Sequence, residues 1–153
     1  MKIEIKLPVP EHILLFLKAK FGEEYHTNNR DWFGIQILSL LEKKSECRYA
    51  LESYKSENYS WYYKIKIRVS HSDRFGIILP RSRENRLRKF VESLFRDACF
   101  EFALINKELY DIDYKSSIIN FLNYYNIDET KGTYLETIVR DFNRKKKNAN
   151  QLK

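Results

Sequence analysis

Apolar and polar positions alternate from Lys2 to Leu7: Ile3, Ile5 and Leu7 point one way, and Lys2, Glu4 and Lys6 the other. A period of two predicts a short half-buried strand, ended by Pro8 and Pro10. The period then lengthens. Ile13, Leu14, Leu17 and Phe21 fall on one face of a helix over Glu11 to Phe21, and Gly22 is its natural stop. The polar run EEYHTNNR reads as a loop. Asn29 or Asp31 is placed to cap a second helix with Trp32, Ile35, Leu38 and Leu41 at helical spacing. Residues 45–60 fit either a strand around Tyr49 and Leu51 or a loop.

The clearest alternation is Trp61 to Val69. Its apolar face is Trp61, Tyr63, Ile65, Ile67 and Val69; its other face is Tyr62, Lys64, Lys66 and Arg68. With Ser70 to Asp73 as a turn, Phe75 to Leu79 is expected to return as the second arm of a hairpin ending at Pro80. The longest helix follows, with Ser82 as N-cap. Its apolar stripe is Leu87, Phe90, Val91, Leu94, Phe95, Ala98, Phe102, Ile105 and Leu109, over roughly 40 Å. It is long enough to serve in a dimer interface as well. Two shorter helices close the pattern. Asp113 caps the first, with Ile118, Ile119, Leu122 and Tyr125 inward. The second opens on Thr133 and Glu136, the spacing of a capping box, before Leu135, Ile138, Val139 and Phe142.

These elements predict an α+β protein, mostly α-helical, with a long central helix, a C-terminal helical pair and a small antiparallel sheet. The expected organisation is a single domain over 1–147, with a mixed part at 1–80, a helical part at 81–147 and a frayed polar tail at 148–153. Composition agrees. The 153 residues are 43% hydrophobic, enough to bury a core, and the 4 glycines and 3 prolines leave few tight turns. The two cysteines, Cys47 and Cys99, have no paired spacing. No signal-peptide core opens the sequence and no apolar run approaches the roughly 20 residues of a membrane helix, so a reducing, cytoplasmic setting is expected.

Charge narrows the functional reading. The formal net charge is +7, which favours a polyanionic partner. In PRSRENRLRKF, Arg81, Arg83, Arg86, Arg88 and Lys89 open the long helix against Glu84 alone. Cations oppose the macrodipole there. Phosphate binding by guanidinium forks and helix-start N–H groups explains them, as does a solvated charged face. The line Lys64, Lys66, Arg68 spans about 14 Å at strand spacing. It can follow a phosphate backbone, with Tyr62 stacking on an unpaired base, or protect an edge strand from aggregation. The last helices have a helix-turn-helix-like outline. Against it, the connector Asn126 to Gly132 is long and the cations Arg140, Arg144, Lys145, Lys146 and Lys147 lie late in the second helix, where the dipole also favours them.

No catalytic or metal constellation stands out. His12, His26 and His71 lack ligand spacing, and FGIILP is not a phosphate loop. His71-Ser-Asp-Arg74 matches only the H-x-x-R fragment of tyrosine recombinases, in a chain too short for that domain. Neither an enzyme nor a cofactor is expected. The stretch from FGIILPRSRENRLRKFVESLF through KSSIINFLNYYNIDE to YLETIVRDFNRKKK resembles small uncharacterised proteins of bacterial prophages and mobile elements, which implies that context and no assigned activity. The opening IEIKLPVPEHILLFLKAKF is similar in outline to the strand-then-helix start of ribbon-helix-helix DNA-binding proteins, from which the insert EEYHTNNR departs. The functional expectation is an accessory or regulatory protein that contacts DNA phosphates through Arg81, Arg83, Arg86, Arg88, Lys89, Tyr62, Lys64, Lys66, Arg68, Arg144 and Lys145. The alternative is a non-catalytic helical interaction or assembly module, with a homodimer as one form.

Overall fold

A computed structural model describes residues 3–43, 59–128 and 134–151. In chain order its elements are β1 (Ile3–Val9), α1 (Glu11–Phe21), β2 (Glu24–His26), α2 (Trp32–Leu40), β3 (Trp61–Ile67), α3 (Val69–Phe75), α4 (Arg81–Tyr110), α5 (Tyr114–Tyr124) and α6 (Tyr134–Gln151). The α+β class, the long central helix and the small sheet are as expected. The chain divides into two compact units, Met1–Glu92 and Ser93–Lys153.

The first unit is built on a three-stranded sheet of order β1-β3-β2. β1 lies antiparallel to β3, pairing Ile5 with Ile65 and Leu7 with Tyr63, while β2 lies parallel to it, pairing Tyr25 with Ile65. The sheet is therefore mixed, not antiparallel. The connection from β2 to β3 passes through α2 and is long enough to bring the chain back in the same direction. Three corrections follow from β3 being central. Phe75 to Leu79 forms no hairpin with it, because both of its edges already carry hydrogen-bonded neighbours. Ser70 to Asp73 is not a turn but lies within α3. Ile78 instead bridges Glu42, with Glu42 N–H donating to the Ile78 carbonyl at 2.8 Å. Nor does β1 end at Pro8: on an edge strand the missing N–H faces away from the ladder, and pairing continues to Val9 opposite Trp61.

Leu7, Val9, Tyr63, Ile65 and Ile67 supply the sheet's share of the core, all fully buried. Equally buried are Ile13, Phe16 and Leu17 of α1, Phe33 and Ile37 of α2, and Leu87 and Val91 of α4, with the Phe33 ring 6.3 Å from that of Tyr63. Edge and tilted ring contacts link Phe21, Tyr25, Trp32, Phe33 and Phe90. α2 buries Phe33, Ile37, Leu38 and Leu40, whereas Ile35 is 51% exposed. The expected face is thus rotated, because a helix apolar on nearly every side leaves periodicity no basis for choosing one. Asp31 is the cap, its carboxylate accepting from Gly34 N–H at 2.7 Å. α1 and α4 start on prolines: Leu14 N–H donates to the Pro10 carbonyl and Glu84 N–H to the Pro80 carbonyl. Ser82 therefore lies inside the first turn of α4 rather than capping it.

The second unit contains the rest of α4 with α5 and α6. Phe95, Cys99 and Ala103 continue the four-residue buried stripe begun at Leu87 and Val91, and they meet Ile118, Phe121 and Leu122 of α5 and Ile138 and Phe142 of α6. Burial pushes the Cys99 thiol up to about 12, which makes it an inert core residue. Asp113 caps α5, accepting from Ser116 N–H at 3.0 Å. α5 ends in a tight turn with Asn126 at φ 58° and Ile127 N–H bonded to the Leu122 carbonyl. The proposed capping box rests on Thr133, and the stretch 45–60, strand or loop, falls largely on residues 45–58; both lie outside the described residues. α6 continues past Arg144 to Gln151.

Gly34 is fixed by close approach: a Cβ there would stand 1.9 Å from the Asn28 carbonyl oxygen and 2.6 Å from the Tyr25 hydroxyl. Gly34→Ala is expected to cost about 2–3 kcal/mol, measured as a lowered urea midpoint; a loss under ~0.5 kcal/mol would show that the loop yields without strain.

Candidate nucleic-acid interface

The eleven sequence-predicted residues differ in burial and in the partners they have. On the sheet face, Tyr62 and Lys64 are exposed, and Lys64 stands opposite Lys6 in the β1–β3 register. Two like charges side by side are unfavourable on a sheet, but Glu24 flanks Lys64 on the other edge. Lys66 hydrogen-bonds Glu4 and lies 4.0 Å from Glu24. That bond holds the Glu4 carboxyl below its usual range and raises Lys66 in turn. The lysine line is therefore interrupted by carboxylates. Because β3 is central, edge protection does not explain it either. Arg68 is exposed just beyond the strand, away from this pairing.

The α4 cluster divides in the same way. Arg83 binds Glu42 at 2.8 Å and the Leu40 carbonyl at 3.2 Å, tying α4 to the end of α2. Arg88 is buried. Its guanidinium donates to the Pro8 carbonyl at 3.0 Å and to Asn85, lies 3.5 Å from Glu84 and stacks over the Tyr59 ring at 4.5 Å. Both arginines hold the fold together by satisfying main-chain carbonyls. Arg81 is half-buried, while Arg86 and Lys89 are exposed with no ion pair among the described residues.

The second unit presents a more continuous cationic face. Ile138 and Phe142 dock α6, with the Phe142 ring 4.9 Å from Phe100 and 4.6 Å from Tyr114. Polar contacts fix its rotation: Lys145 binds Asp97 at 2.7 Å and Asp141 at 3.7 Å, Arg96 meets Asp141 at 3.6 Å, and Lys146 sits over Tyr114 at 4.5 Å. Lys145, one of the expected contacts, thus points inward. Opposite it, Glu136, Arg140, Asn143, Arg144 and Lys147 are exposed. At 3.6 residues per turn they fall within an arc of about 100°. Of these, Arg144 was expected as a contact residue. Asn143 joins them, and its three- and four-residue spacing to Arg140 and Lys147 is the signal the sequence carries for it.

A second feature, unforeseen from sequence, is a cleft of about 450 Å³ lined by Asn28, Asn29, Arg30, Asp31, Arg68 and His71. The strand that positions it, β2, is too short to show a period. Its wall is a bonded loop. Asn28 accepts from the N–H groups of Arg30 and Asp31 and donates to Tyr25 and Asp31, and Tyr25 donates to Asp31 at 2.7 Å. Burial raises the Asp31 carboxyl, but the bonds from Gly34, Tyr25 and Asn28 outweigh it and hold the group below its ordinary value. Burial and the adjacent carboxylate push the Tyr25 phenol well above its own range.

Among the described residues no group of His, Cys, Asp and Glu can hold a metal ion, and no helix is long and apolar enough to cross a membrane. Comparison with protein-family models, with curated proteins and with solved structures finds no match to this chain.

Because the Asp31 carboxyl is depressed on folding, its contribution is fully present above its unfolded value and is lost as pH falls through the lower folded value. Asp31→Ala is expected to lose about 1–2 kcal/mol at neutral pH and to show a shallower loss of stability in acid than the parent. Urea unfolding across the acid range measures both. Parallel pH curves for variant and parent would remove Asp31 from the account.

Proposed function

We propose that the protein binds DNA non-catalytically, with the exposed face of α6 laid against the duplex. The observation that carries this reading is the outward alignment of Arg140, Asn143, Arg144 and Lys147 on a helix whose opposite side is pinned by Phe142 and Lys145. An α-helix fits the major groove, where guanidinium and amide groups pair with base edges and phosphates. A rigidly docked helix presents those groups without first having to order them. α5 and α6 supply the two-helix element of such binders. Residues 125–133 separate them, a longer connector than the usual helix-turn-helix has, so the likeness is one of arrangement. Lys66, Arg83, Arg88 and Lys145 are committed to the fold.

The test is duplex binding by fluorescence anisotropy at about 50 and 200 mM salt. The triple variant Arg140→Gln/Arg144→Gln/Lys147→Gln is expected to bind about 100-fold more weakly at the lower salt and to lose about 2–3 from the log–log salt slope, with an unchanged circular dichroism spectrum. Undiminished binding by the triple variant would refute the α6 interface.

The C-terminal end of α4 supports a second reading, self-association. Ile105 is 53% exposed, Leu109 68% and Tyr110 69%, and Phe102 is also open. An apolar helix stripe left in water favours pairing. If it forms a homodimer, Ile105→Glu/Leu109→Glu is expected to convert a concentration-dependent dimer to monomer in sedimentation velocity. A parent that stays monomeric at every concentration would dismiss this reading and leave the first intact.

A further inference from the structure

We propose that the cleft at the carboxyl ends of β2 and β3 is a binding site for a phosphoryl group. The two strands are parallel and stop side by side, His26 opposite Lys66, so the segments leaving them, Thr27 to Asp31 and Arg68, form adjacent walls. In open α/β sheets ligands bind in the crevice outside the carboxyl ends of the strands.

The residues are arranged for an anion. Asp31 brings the cleft's acidic side chain, and both of its oxygens are engaged: Oδ1 by Gly34 N–H and the Tyr25 hydroxyl, Oδ2 by Asn28. Its charge is spent inside the loop, on the start of α2. Asn28 is likewise used up on the loop. What remains to meet a ligand is Arg30, Arg68, Asn29 and one nitrogen of His71. Arg30 and Arg68 are exposed and have no ion pair among the described residues, in contrast to Lys66, Arg83 and Arg88.

Thr27 prepares the histidine. It is fully buried, and its Oγ1 accepts from Arg68 N–H at 3.1 Å and meets His71 Nδ1 at 3.0 Å. Where the hydroxyl donates to Nδ1, the ring N–H is on Nε2. Nε2 is then a fixed donor on the far edge of the ring. A buried threonine that orients an imidazole in this way performs the positioning task that outer partners perform at ligand sites. Two guanidinium forks, an amide and an imidazole N–H match the tetrahedral oxygens of a phosphoryl group. The α2 N-terminus takes no part, since Asp31 occupies it.

The experiment is a two-dimensional ¹H–¹⁵N NMR titration of the full chain with inorganic phosphate, at ionic strength held constant with sodium chloride. Saturable shifts are expected for Asn29, Arg30, Arg68 and the His71 ring, with a dissociation constant on the order of millimolar. They should weaken at least tenfold in Arg68→Gln and in Arg30→Gln, whose side chains are exposed and whose fold is checked by the same spectra. Further arms identify the source. Saturation by a nucleoside monophosphate and a 5′-phosphorylated oligonucleotide, but not by its 5′-hydroxyl counterpart, assigns the site to a terminal phosphoryl group; saturation by both oligonucleotides assigns it to a backbone phosphodiester. Non-saturating shifts, shifts spread equally over Arg86, Lys89 and Lys147, or indifference to both arginine variants would each overturn the proposal. The site is independent of the α6 reading: the α6 triple variant should leave the phosphate titration unchanged, so failure of either is separately visible.

Discussion

β3 is hydrogen-bonded along both edges, antiparallel to β1 and parallel to β2. Buried main-chain groups must find partners, and here β1 supplies them along the whole of β3 while β2 and Thr27 supply them from Lys64 to Lys66. The register that results decides which side chains face the core, and a slip of one residue would turn every one of them over. It puts Tyr63, Ile65 and Ile67 inside and Lys64 and Lys66 outside. It sets Glu4 beside Lys66, and it ends β2 and β3 together so that Thr27 can reach both Arg68 and His71. The salt-bridged sheet face and the open cleft are two consequences of one pairing.

Helix docking plays the corresponding part in the second unit. α6 has a clear division between an apolar side and a charged one, and Ile138 and Phe142 alone would orient it roughly. Lys145 refines that orientation by binding Asp97 of α4 with an ammonium that also lies over the Phe100 ring, 5.8 Å from its centroid. A long cationic side chain can cover apolar surface and still place its charge on a carboxylate. In α6 the cations that hold the helix, Lys145 and Lys146, sit in sequence between exposed Arg144 and Lys147 and separate from them in space.

Much of the fold was legible in the pattern of the chain. β1, α1, the outward positions of β3, the body of α4 and the Asp113 cap all announce themselves through period or capping chemistry, because each buries one face and solvates the other. The failures have physical causes. Three residues cannot display a period, so β2 passed for loop. α2 is apolar nearly all round, so its buried face could not be chosen. Alternation at 61–69 and apolar residues at 75–79 imitate a hairpin, but alternation says which face is buried and nothing about which strand is the neighbour. Long-range pairing with β1 took the edge that the hairpin required.

The cationic residues were harder to read for a related reason. Counting arginines near the start of α4 treats each as equivalent, yet Arg83 and Arg88 are drawn inward by the Leu40 and Pro8 carbonyls and stabilised by Glu42, Glu84 and Tyr59. A planar guanidinium with five donors is well suited to such main-chain positions, so a basic run at a helix start can be architectural. What separates a binding cation from a structural one is whether its donors are already satisfied. By that measure the surface charge available to a polyanion shifts away from the arginine-rich start of α4, toward Arg140, Arg144 and Lys147 on α6 and toward Arg30 and Arg68 beside the cleft. Arg144 and Lys147 bracket the run RKKK, whose two inner lysines turn to Asp97 and Tyr114, and Arg30 and Arg68 lie far apart in sequence; a helical turn assembles the first group and a parallel strand pair the second.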